Sequence, residues 1–107
     1  YQRKVKSALG KAYSAIAVRA ARGGRNYEAA KAARDALKYS PGHAEATGVL
    51  GTVDGRVAGM ISQAKAGIDA GRRGRSKRKL KEVLLILKVL KKRDGRAAQA
   101  KSLLDSL

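Results

Sequence analysis

The sequence contains no cysteine, tryptophan or phenylalanine, and it has a single proline among its 107 residues. The absence of cysteine excludes a disulfide framework and a cysteine-ligated zinc site. The longest apolar run, residues 83–87, has five residues, whereas a membrane-spanning helix needs about 20. We therefore expect no membrane span. Because the sequence begins with tyrosine, we also expect a fragment or a processed form of a longer polypeptide.

Residues that could perform catalysis or bind a metal are few. The single histidine, His43, follows Pro41-Gly42 at a predicted helix start, and no nucleophile stands beside it. The 8 Asp and Glu residues are scattered, without the spacing that paired acid–base catalysis or a metal site needs. We therefore predict a protein that is not an enzyme and that uses no cofactor.

Positive charge is abundant: 25 Lys and Arg against 8 Asp and Glu give a formal net charge of +17. Such a surface attracts acidic protein segments, nucleic acid or anionic lipid. The densest cluster, here called the basic segment, lies in residues 72–81, and more cations follow it towards residue 96. We interpret the basic segment as an anion-docking patch; the alternative is a solvated turn whose charges discourage aggregation. Its cations are Arg72, Arg73, Arg75, Lys77, Arg78, Lys79 and Lys81.

The pattern is less favourable for nucleic-acid recognition, although it does not exclude it. The four tyrosines are dispersed and form no stacking platform. Binding through phosphates alone requires only charge, so sequence-independent binding remains an alternative. The string Arg73-Gly-Arg-Ser76 also resembles a site for a basophilic kinase.

Helical periodicity dominates the chain, and no alternating stretch of strand length occurs. In the first helix Val5, Leu9, Tyr13, Ile16 and Ala20 form the expected apolar stripe. The third helix contains several glycines, so it is either one long helix or broken near residues 51–55. The five predicted helices cover residues 2–22, 26–39, 44–70, 76–92 and 96–107.

Helix ends are predicted from capping residues and helix-breaking residues. Gly23-Gly24 should end the first helix, since glycine accepts the left-handed conformation. Asn26 is the expected N-cap of the second, with Glu28 in its first turn. The fourth helix should end at Asp94-Gly95, and its wide apolar face suggests cover on two sides.

The first helical pair has a pattern of residue types, at Tyr13, Ile16, Ala17, Ala29 and Ala36, that is followed by a single proline, Pro41. With this pattern the pair resembles the tetratricopeptide repeat (TPR) family. Counted back from Pro41 as the closing proline, the repeat's preferred positions align without gaps. Ala20 and Ala33 are smaller than the family's usual residues there. The good match covers residues 10–46, and a degenerate second copy covers 58–98, where Asp94 replaces the proline.

This resemblance implies an all-α domain of antiparallel helical hairpins over residues 1–107, capped by residues 96–107. It also implies a protein-interaction module with a groove lined by the first helix of each repeat. The composition is typical of GC-rich bacteria. On this chain the groove positions would be Lys11, Ser14, Val18, Ala21 and Arg22.

We therefore expect a scaffold or adaptor that docks a protein partner, or a domain of its own polypeptide, with an acidic surface. The alternative is a helical domain that binds nucleic acid through the basic segment, or another polyanion. A third possibility is a subunit of a larger assembly, with Leu85, Ile86 and Val89 as exposed contacts.

Overall fold

The computed structural model of the protein describes residues 2–92 and 94–107, with side chains from residue 3 onward. These residues contain no strand and form five α-helices, which confirms the predicted all-α class with a helical hairpin. Tyr1 and Arg93, part of the predicted aromatic and cationic sets, lie outside the described residues. The helices are α1 (Gln2–Arg22), α2 (Asn26–Tyr39), α3 (Ala44–Asp69), α4 (Arg73–Leu90) and α5 (Gly95–Asp105).

Residue contacts group into two compact units, one ending at Asp54 and the other beginning at Gly55. The first unit contains α1, α2 and the first part of α3. The second contains the rest of α3 together with α4 and α5.

The α1–α2 hairpin turns at Gly23-Gly24, as predicted. Gly24 has a φ of +75°, the left-handed conformation that glycine adopts without a steric penalty. The Arg25 N–H donates to the Ala20 carbonyl (2.9 Å), and the Gly24 N–H donates to the Ala21 carbonyl (3.2 Å). These two bonds satisfy carbonyls at the end of α1 and reverse the chain.

Small residues hold the two helices of the hairpin close together. A Cβ built on Gly10 would lie 2.9 Å from the Ser40 Cβ. The end of α2 therefore packs against α1 at a position where α1 has a glycine and no side chain. The Tyr13 and Tyr39 rings stack beside this contact, with centroids 5.8 Å apart and planes 2° from parallel. The fully buried alanines of the hairpin are Ala17, Ala20, Ala29, Ala30, Ala33 and Ala36.

The apolar stripe predicted for α1 was partly wrong. Ile16 is 52% exposed and Val5 is also exposed, whereas Gly10 and Ser14 are buried. The physical reason is the alanine-rich face of α2: a close helix–helix contact needs small residues on both sides. The buried row of α1 therefore follows small residues and not bulky apolar ones.

The start of α2 also differs from the prediction. Asn26 is the first helical residue, and Arg25 occupies the N-cap without a side-chain cap hydrogen bond. Glu28 does lie in the first turn, where its carboxylate pairs with the Arg25 guanidinium at 3.2 Å. An ion pair at the helix start thus takes the place of the expected asparagine cap.

Helix α3 is unbroken, so the alternative with a break near residues 51–55 was wrong. Among the described residues, no neighbouring atom lies within 4 Å of a Cβ built on Gly48, Gly51, Gly55 or Gly59, so these glycines do not mediate close packing. The buried residues of α3 include Val53, Val57, Met60, Ile61 and Ala64.

Helix α4 begins three residues earlier than predicted and ends two residues earlier. Lys91 stops it in the left-handed conformation (φ 57°), and Asp94 caps α5 by accepting a hydrogen bond from the Arg96 N–H at 3.0 Å. The predicted stop at Asp94-Gly95 was therefore wrong, because Asp94 is the N-cap of the next helix and Gly95 is its first residue. The buried face of α4 consists of Ser76, Leu80, Val83, Ile86, Leu87 and Leu90.

Candidate docking surface

The basic segment follows a tight turn between α3 and α4. Gly71 has a φ of +83°, the Arg72 N–H donates to the Gly67 carbonyl (2.7 Å), and the Gly71 N–H donates to the Ile68 carbonyl (3.0 Å). Arg72 is the N-cap residue of α4, and Arg73 is its first helical residue. The cations therefore lie on the first turns of a helix, and only Arg72 belongs to the turn.

Gly67 lets the end of α3 approach the start of α4 closely. A Cβ at this position would overlap the Ser76 hydroxyl, and Ser76 is only 3% exposed. The buried serine is thus packed against the backbone of α3. The interpretation of Ser76 as a kinase site was wrong for the folded protein, because a kinase could not reach its hydroxyl.

A groove of about 510 Å³ opens between these parts of α3 and α4. Small residues of α3 line one side, and three cations from the basic segment line the other. Lys79 is half-buried as a residue, and its ammonium donates to the Gln63 Oε1 at 3.1 Å, which directs it across the groove. We name this the α3/α4 groove; it is lined by Gln63, Ala64, Ala66, Gly67, Ala70, Arg72, Arg75, Ser76 and Lys79.

The structure separates the seven predicted cations into two sets. Arg72, Arg75 and Lys79 line the α3/α4 groove. The other four are exposed on α4 and do not line it: Arg73, Lys77, Arg78 and Lys81.

The electrostatics around the groove favour an anion. The first turn of α4 contains no acidic residue, and its unpaired backbone N–H groups carry partial positive charge. Residues 55–107 contain fifteen Lys or Arg and four Asp or Glu, a formal charge of +11 out of the total of +17. Opposite charge is thus attracted to this unit more strongly than to the first.

The five groove positions implied on α1 differ in exposure. Lys11 and Arg22 are exposed, and Val18 is half-buried. Ser14 is 2% exposed and Ala21 is buried, so neither side chain is open to solvent. The Ser14 hydroxyl has no hydrogen-bond partner among the described groups.

Two other predicted features have a defined place. His43 lies just before α3, where its carbonyl accepts hydrogen bonds from the Thr47 N–H and hydroxyl, both at 3.1 Å. Of the three expected assembly contacts, Leu85 is 49% exposed and Val89 is half-buried, but Ile86 is fully buried in the core. Ile86 was therefore wrong as an exposed contact, since it faces the interior of the helical packing.

Sequence reasoning missed the α3 side of the groove. Gln63 and Ala70 carry no signal of their own, and Gly67 was one of five glycines in α3 without a feature to distinguish it. Its spacing of nine residues from Ser76 across a glycine-containing turn is the signal that could have found the contact.

Within residues 2–92 and 94–107, no three His, Cys, Asp or Glu side chains come together in a way that could hold a metal ion. None of the described helices is long and apolar enough to cross a membrane. Comparison with protein-family models, with curated proteins and with solved structures finds no match for this chain.

Proposed function

We propose that the protein is a non-catalytic docking module that binds an acidic segment of a protein partner, or of another domain of its own polypeptide. The observation that carries this proposal is the α3/α4 groove, where Arg72, Arg75 and Lys79 face a row of small residues. The groove is concave and cationic, so an extended acidic peptide matches it in both shape and charge.

The three cations would act in complementary ways. Arginine can bind a carboxylate through two parallel hydrogen bonds, and lysine contributes a point charge. The small side chains of Ala64, Ala66 and Gly67 leave room for a peptide backbone to approach α3. The charge of the whole unit would raise the rate of encounter with an acidic partner.

We also propose that the hairpin belongs to the TPR type of architecture. In support, Ala29 is fully buried at the position of the family's small helix-crossing residue, and the turn lies at the expected glycines. The proposed docking surface is nevertheless the α3/α4 groove and not the α1 row, because Ser14 and Ala21 in that row are buried.

Binding of nucleic acid phosphates is a second candidate, favoured by one observation. Arg73, Lys77 and Lys81 are exposed at intervals of four residues, so they follow one row along α4. A row of this kind can contact a phosphate backbone without a concave pocket. Its affinity would then fall linearly with salt on a double-logarithmic plot, with a slope of about −0.9 per phosphate contact.

The proposal is tested by fluorescence anisotropy with a labelled polyglutamate peptide. The groove variant carries Arg72→Gln, Arg75→Gln and Lys79→Gln. We expect it to bind the peptide about tenfold more weakly, because each exposed ion pair contributes up to about 1 kcal/mol and tenfold corresponds to about 1.4 kcal/mol.

The matched control also removes three exposed cations, but from the first unit: Lys6→Gln, Arg19→Gln and Lys31→Gln. Its affinity should stay within about threefold of the parent. Equal losses in the two variants would mean that only net charge matters, and the groove proposal would then be abandoned. Tighter binding to a DNA duplex of arbitrary sequence, lost in Arg73→Gln, Lys77→Gln and Lys81→Gln, would favour the second candidate.

A further inference from the structure

A second groove, of about 540 Å³, lies between α4 and α5, and the proposed function does not use it. Leu84, Leu87 and Ala97 form its apolar lining, with Leu87 almost fully buried and the other two half-buried. Three exposed lysines surround this lining. We name it the α4/α5 groove; its lysines are Lys88, Lys91 and Lys92.

This arrangement differs from that of the first groove. There the cations face alanine and glycine, whereas here they surround leucine side chains. A phosphate backbone would leave the exposed parts of Leu84 and Ala97 without an apolar partner. An apolar side chain with carboxylates on both sides would match both parts of the groove, because it removes apolar surface from water while the carboxylates meet the lysines.

Lys91 provides an independent observation at the same place. The same pair of hydrogen bonds closes the ends of α3 and α4. The left-handed residue is Gly71 after α3, whereas after α4 it is Lys91. The turn after α1 likewise has Gly24. A side chain in this conformation is strained where glycine is not, so the chain has a lysine at the groove's edge at a local cost in stability.

The helix dipole does not account for this choice. A cation is favoured anywhere in the last turn of a helix, and Lys88 already occupies that turn in α4. Lysine at the left-handed position adds strain, and it is not needed for the favourable interaction of a cation with the helix dipole.

We infer that the α4/α5 groove is a second docking site, which binds a leucine-like side chain flanked by carboxylates in an acidic protein segment. This inference rests on the proposed function for the acidic character of the partner. It adds a requirement that the first groove does not impose, namely an apolar anchor residue.

The test compares two labelled peptides of equal charge. One alternates leucine with pairs of glutamates, and the other has glutamine in place of each leucine. We expect the parent protein to bind the leucine peptide about tenfold more tightly, since burying a leucine side chain corresponds to at least that factor.

Ala97→Glu locates the site. A glutamate here would repel the carboxylates, while its position in the first turn of α5 is favourable to the helix, so the variant should fold. The matched control is Ala98→Glu, which adds the same charge at the next residue, exposed and outside the groove. We expect Ala97→Glu to weaken binding of the leucine peptide about tenfold relative to Ala98→Glu.

Lys91→Gly separates binding from stability. This substitution should raise the melting temperature, because glycine adopts the left-handed conformation without strain. It should also weaken binding of the leucine peptide several-fold, because it removes a cation from the groove. A purely structural lysine would change stability without changing affinity.

The outcomes distinguish the two proposals. Equal binding of both peptides, or equal affinities of Ala97→Glu and Ala98→Glu, would overturn the second site and leave the first groove standing. Failure of both peptides to bind at all would overturn the proposed function together with this inference.

Discussion

Residue size decides how closely the helices of this protein approach one another. A Cβ built on Gly10 would collide with the Ser40 Cβ, and one built on Gly67 would collide with the Ser76 hydroxyl. In each unit a glycine therefore lies where a side chain would not fit. Around the other glycines of α3, none of the atoms that the structure describes lies within 4 Å of a built Cβ. Close packing thus accounts for Gly10 and Gly67, whereas the part of the chain that the structure describes gives no packing reason for Gly48, Gly51, Gly55 and Gly59.

Gly10→Ala and Gly51→Ala test this distinction. Alanine stabilises a helix by about 1 kcal/mol over glycine, and Gly51→Ala should show that gain because nothing lies near its Cβ. The free energy of unfolding of Gly10→Ala should be at least about 1 kcal/mol lower than that of Gly51→Ala, since overpacking costs roughly 1–3 kcal/mol. Urea unfolding of both variants measures the difference; equal gains would contradict the close contact.

At this scale the sequence predicted part of the hairpin core and missed the rest. The buried face of α2 follows from the spacing of its alanines. The expected burial of Ile16 was wrong because hydrophobicity was weighed without size, and a face made of alanine accepts only small residues opposite it. Ser14 takes an interior position that no hydropathy pattern assigns to a serine.

Among the helices, the junction between α4 and α5 depends on one carboxylate. Asp94 accepts a hydrogen bond from the Arg96 N–H and pairs with the Arg96 guanidinium at 2.7 Å. The hydrogen bond from the Arg96 side chain is the main reason that the pKa of Asp94 lies below its ordinary value of 3.8. The charged carboxylate is therefore stabilised in the folded state.

The pH dependence of stability follows with a definite sign. A carboxyl whose pKa is lowered on folding contributes stability above its unfolded pKa and loses it as the pH falls through the lowered value. Asp94→Asn keeps an oxygen that can cap α5 but loses the charge. We expect the parent to melt at a higher temperature than Asp94→Asn at neutral pH.

That difference should disappear as the pH falls below 3.8 through the lowered pKa of Asp94. Calorimetric scans of both proteins at several pH values measure it. A difference that persists in strong acid would contradict the ion pair as its cause.

Helix number and most helix limits were predictable, because glycine, proline and apolar spacing signal them locally. The end of α4 was not, since the left-handed residue is a lysine, which carries no such signal in sequence. The start of α4 was predicted three residues too late, because a run of arginines with Gly74 is typical of a loop. In the structure these residues form the first turn of the helix, directly after the tight turn at Gly71.

For the molecule as a whole, the dominant property is its net charge of +17. Like charges repel in the folded state, and this repulsion decreases when dissolved salt screens it. We expect the melting temperature to rise between low and moderate sodium chloride concentrations. A melting temperature that falls with salt would mean that attractive ion pairs outweigh the repulsion.

The sequence predicted the cations of the candidate site but not which of them line the α3/α4 groove. The basic segment is visible as a charge cluster, but charge spacing does not indicate which cations face a neighbouring helix. The turn at Gly71 and the contact of Gly67 with Ser76 determine which cations line the groove. Both features depend on where α3 and α4 meet.

The most direct measurement of the central claim is a titration of the isotope-labelled protein with the polyglutamate peptide, followed by amide chemical shifts. Docking in the α3/α4 groove predicts the largest shifts within residues 63–79 and small shifts in α1. Shifts spread evenly over the cations of both units, or largest at residues 11–22 of α1, would contradict it.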